Sequence, residues 1–109
     1  MLAELSIIPV GGSTHSSSEL AKVLKLVDES GLPYQLTPSG TCIEGEWDEI
    51  MALIRHCHDR VRKSSSHVVT FIKLEEDDGE RHKLTRNVTS VEEKIGHPLK
   101  TSEARTNER

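Results

Sequence analysis

The sequence predicts an α+β domain in which four strands form one antiparallel sheet and two helices cover one of its faces. Three observations carry this. Apolar and polar residues alternate over 2–9, and short β-prone runs recur at 34–38, 41–45 and 67–74. Two longer stretches, 17–30 and 47–63, repeat their apolar residues at helical spacing. The resulting order is β-α-β followed by β-α-β, and two such units joined by a short turn make the split βαβ, or ferredoxin-like, βαββαβ arrangement.

The first strand places Ala3, Leu5 and Ile7 on one side and Glu4, Ser6 and Ile8 on the other; Pro9 and Gly11-Gly12 stop it. Ser16-Ser-Ser-Glu19 has the form of a capping box. Leu20, Val23, Leu24 and Val27 follow on one helical face. Gly31 stands where a left-handed C′ residue belongs, and Pro33 prevents resumption. Tyr34-Gln-Leu-Thr-Pro38 is a short strand, Pro38-Ser-Gly40 a turn, and Thr41–Gly45 a third strand. The second helix has the stripe Trp47, Ile50, Ile54, Cys57 and Val61, flanked by Met51 and Leu53. Asp48 and Glu49 fall in its first turn and arginines lie further along, as the helix dipole favours. His67–Leu74 is the fourth strand, the most β-prone segment. Glu75–Asp78 reads as a solvated acidic turn, 80–88 fits no single pattern, and Ser90 opens a helical turn reaching Ile95. The domain occupies 1–96; 97–109 is a polar, flexible tail.

With 109 residues the chain suits one domain. Its apolar fraction of 34% and its three aromatics, Tyr34, Trp47 and Phe71, make a thin core, so association with further copies is expected to add burial. A net charge of −4 argues against a general nucleic-acid binder, which needs a basic face. No apolar run is long enough to span a membrane, and Met1–Leu5 carries an acid rather than the basic start of a signal peptide. Cys42 and Cys57 make no disulfide framework, which fits a cytoplasmic protein with reduced thiols; the Asn87-Val-Thr89 sequon is then without meaning.

If Leu5, Leu36, Ile43, Val69 and Phe71 face the helices, the uncovered face carries Glu4, Ser6, Ile8, Gln35, Thr37, Cys42, Glu44, Thr70 and Ile72. That mixture suits a partly buried surface enclosing a polar ligand; a plain wet surface is the alternative. Glu44 and Glu46 are two apart and can share a face, as acid–base or cation-binding pairs do. The plainer reading makes Glu46, Asp48 and Glu49 helix-starting acids and leaves Glu44 as the candidate ligand carboxylate. Trp47 is either a core residue or a stacking surface for a flat ligand. His56-Cys57-His58 is a poor zinc site, because adjacent helical residues diverge. Cys42 has no identifiable base, and Gly11-Gly-Ser-Thr14 lacks the ending of a phosphate-binding loop.

The segments SIIPVG (6–11), SGLPYQLTPSGTCIEGEWDEIM (30–51), VVTFIKL (68–74) and SVEEKIG (90–96) together resemble the small thiamine-binding protein family. The most specific part is a Gly-Leu-x-Tyr strand followed by Gly-Thr-x-x-Glu-Gly-Glu and a helix. The likeness covers about residues 2–96. It implies a ferredoxin-like domain that forms dimers, often paired into tetramers, and no catalytic activity. It also implies binding of thiamine or its hydroxymethylpyrimidine portion as ligand, not as a catalytic cofactor, in transport, sensing or salvage. Ser6, Thr41, Glu44 and Glu46 match family-typical positions. With the uncovered face, this gives Glu44, Ser6, Gln35, Thr37, Thr41, Thr70 and Trp47 as candidate ligand residues. Two features depart from the family: Asp77-Asp78 is followed by Gly79-Glu80-Arg81, which shifts any basic contact there, and the tail after 97 has no counterpart. An assembly module without a ligand, and a small enzyme built on Glu44 and Glu46, are the rival readings.

Overall fold

A computed structural model describes residues 1–11, 16–79 and 81–101. The elements are β1 (Leu2–Pro9), α1 (Ser16–Glu29), β2 (Tyr34–Thr37), β3 (Gly40–Glu44), α2 (Trp47–Arg62), β4 (Val68–Glu75) and α3 (Lys83–Ile95). The sheet runs β2-β3-β1-β4 with every neighbouring pair antiparallel. The α+β, ferredoxin-like fold read from the sequence is the fold observed, with a third helix added.

The core lies between the sheet and the first two helices. Ala3 and Leu5 of β1 and Ile43 of β3 meet Val23 and Val27 of α1 and Ile50, Leu53, Ile54, Cys57 and Val61 of α2. Full burial of each larger side chain stabilises by about 1.5–3 kcal/mol, so this seam holds the two layers together. Gly31 ends α1 in the left-handed conformation, at φ +79°, which a Cβ would strain. The acids at the start of α2 act as the sequence suggests, for Glu49 Oε1 accepts the Glu46 backbone N–H at 3.0 Å. The expected capping box of α1 rests partly on the Ser16 side chain, and the glycine-rich connector on 12–15; both lie outside the described residues. So does the tail from 102 onward. Glu19 itself is buried, accepting from Ser64 Oγ at 2.9 Å and pairing with Lys22 at 3.1 Å.

Three expectations change. Residues 83–95 form one continuous helix, not a single turn at Ser90. Its apolar residues Leu84, Val88, Val91 and Ile95 recur at helical spacing, but Val91 and Ile95 stay about half exposed. Second, β4 presents the opposite faces from those expected. Ile72 pairs with Leu5 and Thr70 with Ile7, on the helix side; Phe71 pairs with Ser6 and Val69 with Ile8, on the uncovered side. This strand is apolar on both faces, so its alternation has no sign, and a slip of one residue exchanges the faces. Third, Trp47 is not core: it is 51% exposed. It opens the first turn of α2, ahead of the turns that Ile50, Ile54 and Cys57 press onto the sheet.

Candidate functional site

At the end of the sheet where β3 turns into α2, the chain from β4 to α3 crosses back and closes a cavity of about 350 Å³. Glu44 ends β3, Gly45 makes the corner, and Glu46 and Glu49 come from the start of α2. Met1 fixes the corner, since its ammonium donates to the Gly45 carbonyl at 2.9 Å and its carbonyl accepts the Gly45 N–H at 3.0 Å. Opposite stand Glu76, Asp77 and Asp78, with Arg81 and His82 before α3. Among the described residues six carboxylates thus surround the cavity, against one arginine and the Met1 ammonium. Such a wall raises the local concentration of cations.

The Glu44 carboxylate is already bound. Its Oε2 accepts the Lys83 N–H at 2.7 Å and its Oε1 the Leu84 N–H at 3.2 Å. These are first-turn donors of α3, which no intrahelical carbonyl can satisfy. The helix lacks a local solution: His82 precedes it in the left-handed conformation, at φ 59°, without a side-chain cap bond, and no acid lies in its first turn. Glu44 supplies both the acceptor and the negative charge the dipole favours. Lys83 completes the anchor. Its buried ammonium lies 2.6 Å from Asp77 and 3.3 Å from Glu75. The Asp77 hydrogen bond, with help from Glu75, raises the Lys83 pKa against the opposing effect of burial. Arg81 lies 3.6 Å from Glu46 across the rim, both side chains being exposed.

A second hollow, of about 310 Å³, lies at the other end of the sheet between α1 and the β2–β3 hairpin. Ser6, Thr37 and Thr41 line it together with Leu20, Leu36 and Ile8. Ser6 Oγ donates to the Ser39 carbonyl at 3.1 Å, and Thr37 Oγ1 donates to the Gly40 carbonyl at 2.9 Å. Thr41 is buried. Among the described residues no charged side chain lines this hollow.

The seven residues singled out from sequence therefore do not converge. Glu44 belongs to the acidic cavity, whereas Ser6, Thr37 and Thr41 belong to the uncharged hollow. Gln35 is exposed on the uncovered face, opposite Cys42. Thr70, expected on that face, is under the sheet with its Oγ1 2.6 Å from His58 Nδ1 of α2. Trp47 lines neither hollow. The sequence reading missed His82 and Lys83 and had Arg81 only as a shifted basic contact. A cation between an acidic run and the start of the 84/88/91/95 pattern was the available signal. His58 turns to Thr70 while His56 lines a separate groove between α1 and α2. Among the described residues no three His, Cys, Asp or Glu side chains are grouped to hold a metal. Burial pushes the Cys57 thiol up to about 11, and burial together with Glu4 raises that of Cys42, so neither is activated as a nucleophile. None of the described helices is long and apolar enough to cross a membrane.

A sequence model described as "Thiamine-binding protein" matches residues 3–92. The chain is similar to a UPF0045 protein of Bacillus subtilis, at 33% identity over 96 residues, 83% of this chain and 92% of that protein. It is similar to the crystal structure of a hypothetical protein from Methanocaldococcus jannaschii, with a TM-score of 0.78, 27% identity, and coverage of 84% and 95% of the two chains. A Thermotoga maritima crystal structure, described as a candidate thiamine biosynthesis/salvage protein, shares the fold at a TM-score of 0.72 and 16% identity, over 83% and 96%.

Proposed function

We propose, since the chain belongs to the thiamine-binding protein family, that it binds thiamine or a thiamine-related pyrimidine and catalyses no reaction on it. The role is that of a vitamin carrier, sensor or salvage accessory. The observation that carries the choice of site is the acidic cavity. Thiamine bears a permanent positive charge on its thiazolium and presents a flat aminopyrimidine. A hollow of about 350 Å³ walled by six carboxylates suits such a cation in size and sign. The same carboxylates are poor candidates for acid–base work, because Glu44 holds two α3 amides, Glu49 holds the Glu46 N–H and Asp77 holds Lys83. Trp47 is adjacent to Glu46 and serves as an optical reporter at the rim.

Glu46→Gln is the clean test. This carboxylate is exposed, lies 3.6 Å from Arg81 across the rim and accepts from the Glu49 backbone in the capping box of α2, where glutamine keeps an acceptor, so the substitution costs the fold little. Thiamine affinity measured by calorimetry is expected to fall severalfold, and more steeply at low salt. Unchanged affinity at both salt concentrations removes the acidic cavity from the reading. The uncharged hollow is the second site to examine, because it brings Ser6, Thr37 and Thr41 together. Assembly into dimers, and dimers into tetramers, is part of the proposal. It is supported by the half-exposed Val91 and Ile95 on α3 and by Phe71 on the uncovered sheet face. The two unpaired thiols fit the reducing cytoplasm.

A further inference from the structure

α3 is tied to the rest of the fold through its first residue. The Lys83 N–H donates to Glu44 of β3 at 2.7 Å. The Lys83 ammonium, on a side chain only 7% exposed, lies 2.6 Å from Asp77 and 3.3 Å from Glu75 of β4. One turn on, Asn87 Nδ2 donates to the other oxygen of Glu75 at 3.3 Å. Further along, burial fades: Lys83 is the one buried residue of α3, and Val91 and Ile95 are about half exposed. Lys83 does not itself line the acidic cavity, but its partners Glu44 and Asp77 do, from opposite sides. The two sides repel each other. Glu44, Glu46 and Glu49 stand on the β3–α2 side, and Glu76, Asp77 and Asp78 on the approach to α3. Arg81 reaches across to Glu46 at 3.6 Å, but both side chains are exposed, and such pairs contribute little. The closed arrangement therefore depends on Lys83, against the repulsion of the carboxylates.

We infer that Lys83 is the positioning residue of the cavity, and that ligand binding and the docking of α3 stabilise each other through it. Lys83 holds the α3-side carboxylates against the β3–α2 side without touching the ligand. An organic cation placed between the two walls is attracted to both, and most strongly when they are closest. It does for the rim what the Lys83 ammonium does beneath it: it sets positive charge between carboxylates that otherwise push apart. A ligand that favours the closed state shifts the population toward it, and by linkage whatever favours docking raises the affinity for the ligand. α3 is then more firmly docked in the loaded chain than in the empty one. A carrier or sensor needs such a difference, because a partner can tell the two states apart only by a surface that changes. The inference rests on the acidic cavity being the thiamine site, and adds how occupancy of that site is relayed to a helix outside it.

Hydrogen exchange of the full chain, read by mass spectrometry with and without thiamine, tests it. Peptides spanning 85–90 are the reporter, since these residues do not line the cavity and gain nothing from direct contact with the ligand. Sodium chloride at equal ionic strength is the blank, which separates binding from screening of the carboxylates. With thiamine at 100 times the dissociation constant found by calorimetry, an opening that expels the ligand is suppressed about 100-fold. The reporter peptides are expected to gain protection of that order over the blank. Lys83→Met removes the ammonium and keeps the apolar stem. It is expected to speed exchange of 85–90 in the free chain and to weaken thiamine binding, and saturating thiamine is expected to restore part of the protection. Lys83→Arg, which keeps the cation, is expected to stay near wild type in both readouts. Thiamine that binds the wild type yet leaves 85–90 exchanging as in the blank overturns the linkage while the binding reading stands. Absence of thiamine binding overturns both. A Lys83→Met chain with wild-type protection and wild-type affinity overturns the role of Lys83. The wild-type comparison needs no variant, so it decides the linkage even where Lys83→Met does not fold.

Discussion

Replacing Glu44 by alanine should loosen α3 and leave the rest of the fold closed. The side chain accepts two hydrogen bonds, from Lys83 N–H at 2.7 Å and Leu84 N–H at 3.2 Å. Hydrogen bonds to a charged group are worth about 1.5–3 kcal/mol net, and loss of an N-terminal cap costs about 0.5–2 kcal/mol. Both bonds are only partly buried, so water replaces part of the loss. An effect of about 1–3 kcal/mol on the docking of α3 follows. Lys83 still holds Asp77 and Glu75, so the helix is weakened and not detached. Hydrogen exchange read by mass spectrometry is the assay. Peptides covering 83–95 should lose protection by about 5- to 100-fold in the variant, at roughly 1.4 kcal/mol per decade. Peptides from α2, whose Ile50, Ile54 and Cys57 form the core, should exchange as in the wild type. Glu44→Gln keeps one acceptor and should fall between. Equal protection of α3 in wild type and Glu44→Ala would refute the idea that this carboxylate caps the helix. Loss of protection throughout the chain would show that α3 is part of the global fold and not a separately docked arm.

Two further outcomes follow from the titrating groups. Lys22 and Ser64 hold Glu19 below the ordinary carboxylate value of 4.5. Its folded pKa is depressed, so its contribution to stability is full above 4.5 and is lost as the pH falls through the lower, folded value. Glu19→Gln should therefore flatten the acid limb of stability against pH; a variant with an unaltered acid limb contradicts this. Cys57 should take up alkylating reagent only on unfolding, since its thiol is buried and pushed up to about 11, while Cys42 reacts first in the native chain. Equal native labelling of the two would count against the packing of α2 on α1.

The parts of the fold that the sequence made legible are those specified locally. In β1, Ala3 and Leu5 go inward because their neighbours are polar, and the stripe Ile50, Ile54, Cys57, Val61 turns α2 onto the sheet. α3 was obscured because the group that starts it, Glu44, is 39 residues away in sequence. A reader of 80–88 meets no cap, no acid in the first turn and a cation at the start, all unfavourable by local rules. The side assignment of β4 failed for a different reason. With Val69 and Phe71 on one face and Ile72 and Leu74 on the other, only the pairing with β1 decides which side is which. The site was half legible. Glu44 ends β3 apart from the helix-starting acids, as its place in the strand predicts, and its partners are backbone amides of α3. The acidic run after β4, read as a solvated turn, supplies Asp77 to Lys83 and carboxylates to the cavity wall.

The central claim is that this chain binds a cationic, thiamine-type ligand in the cavity where β3, α2 and the approach to α3 meet. The most direct measurement is a calorimetric titration of the full chain with thiamine, set beside one with the uncharged hydroxymethylpyrimidine. Saturable binding of thiamine, tighter than that of the pyrimidine and weakened by salt, is the expected result. Absence of saturation by thiamine, its pyrimidine or its phosphates at millimolar concentration would contradict it.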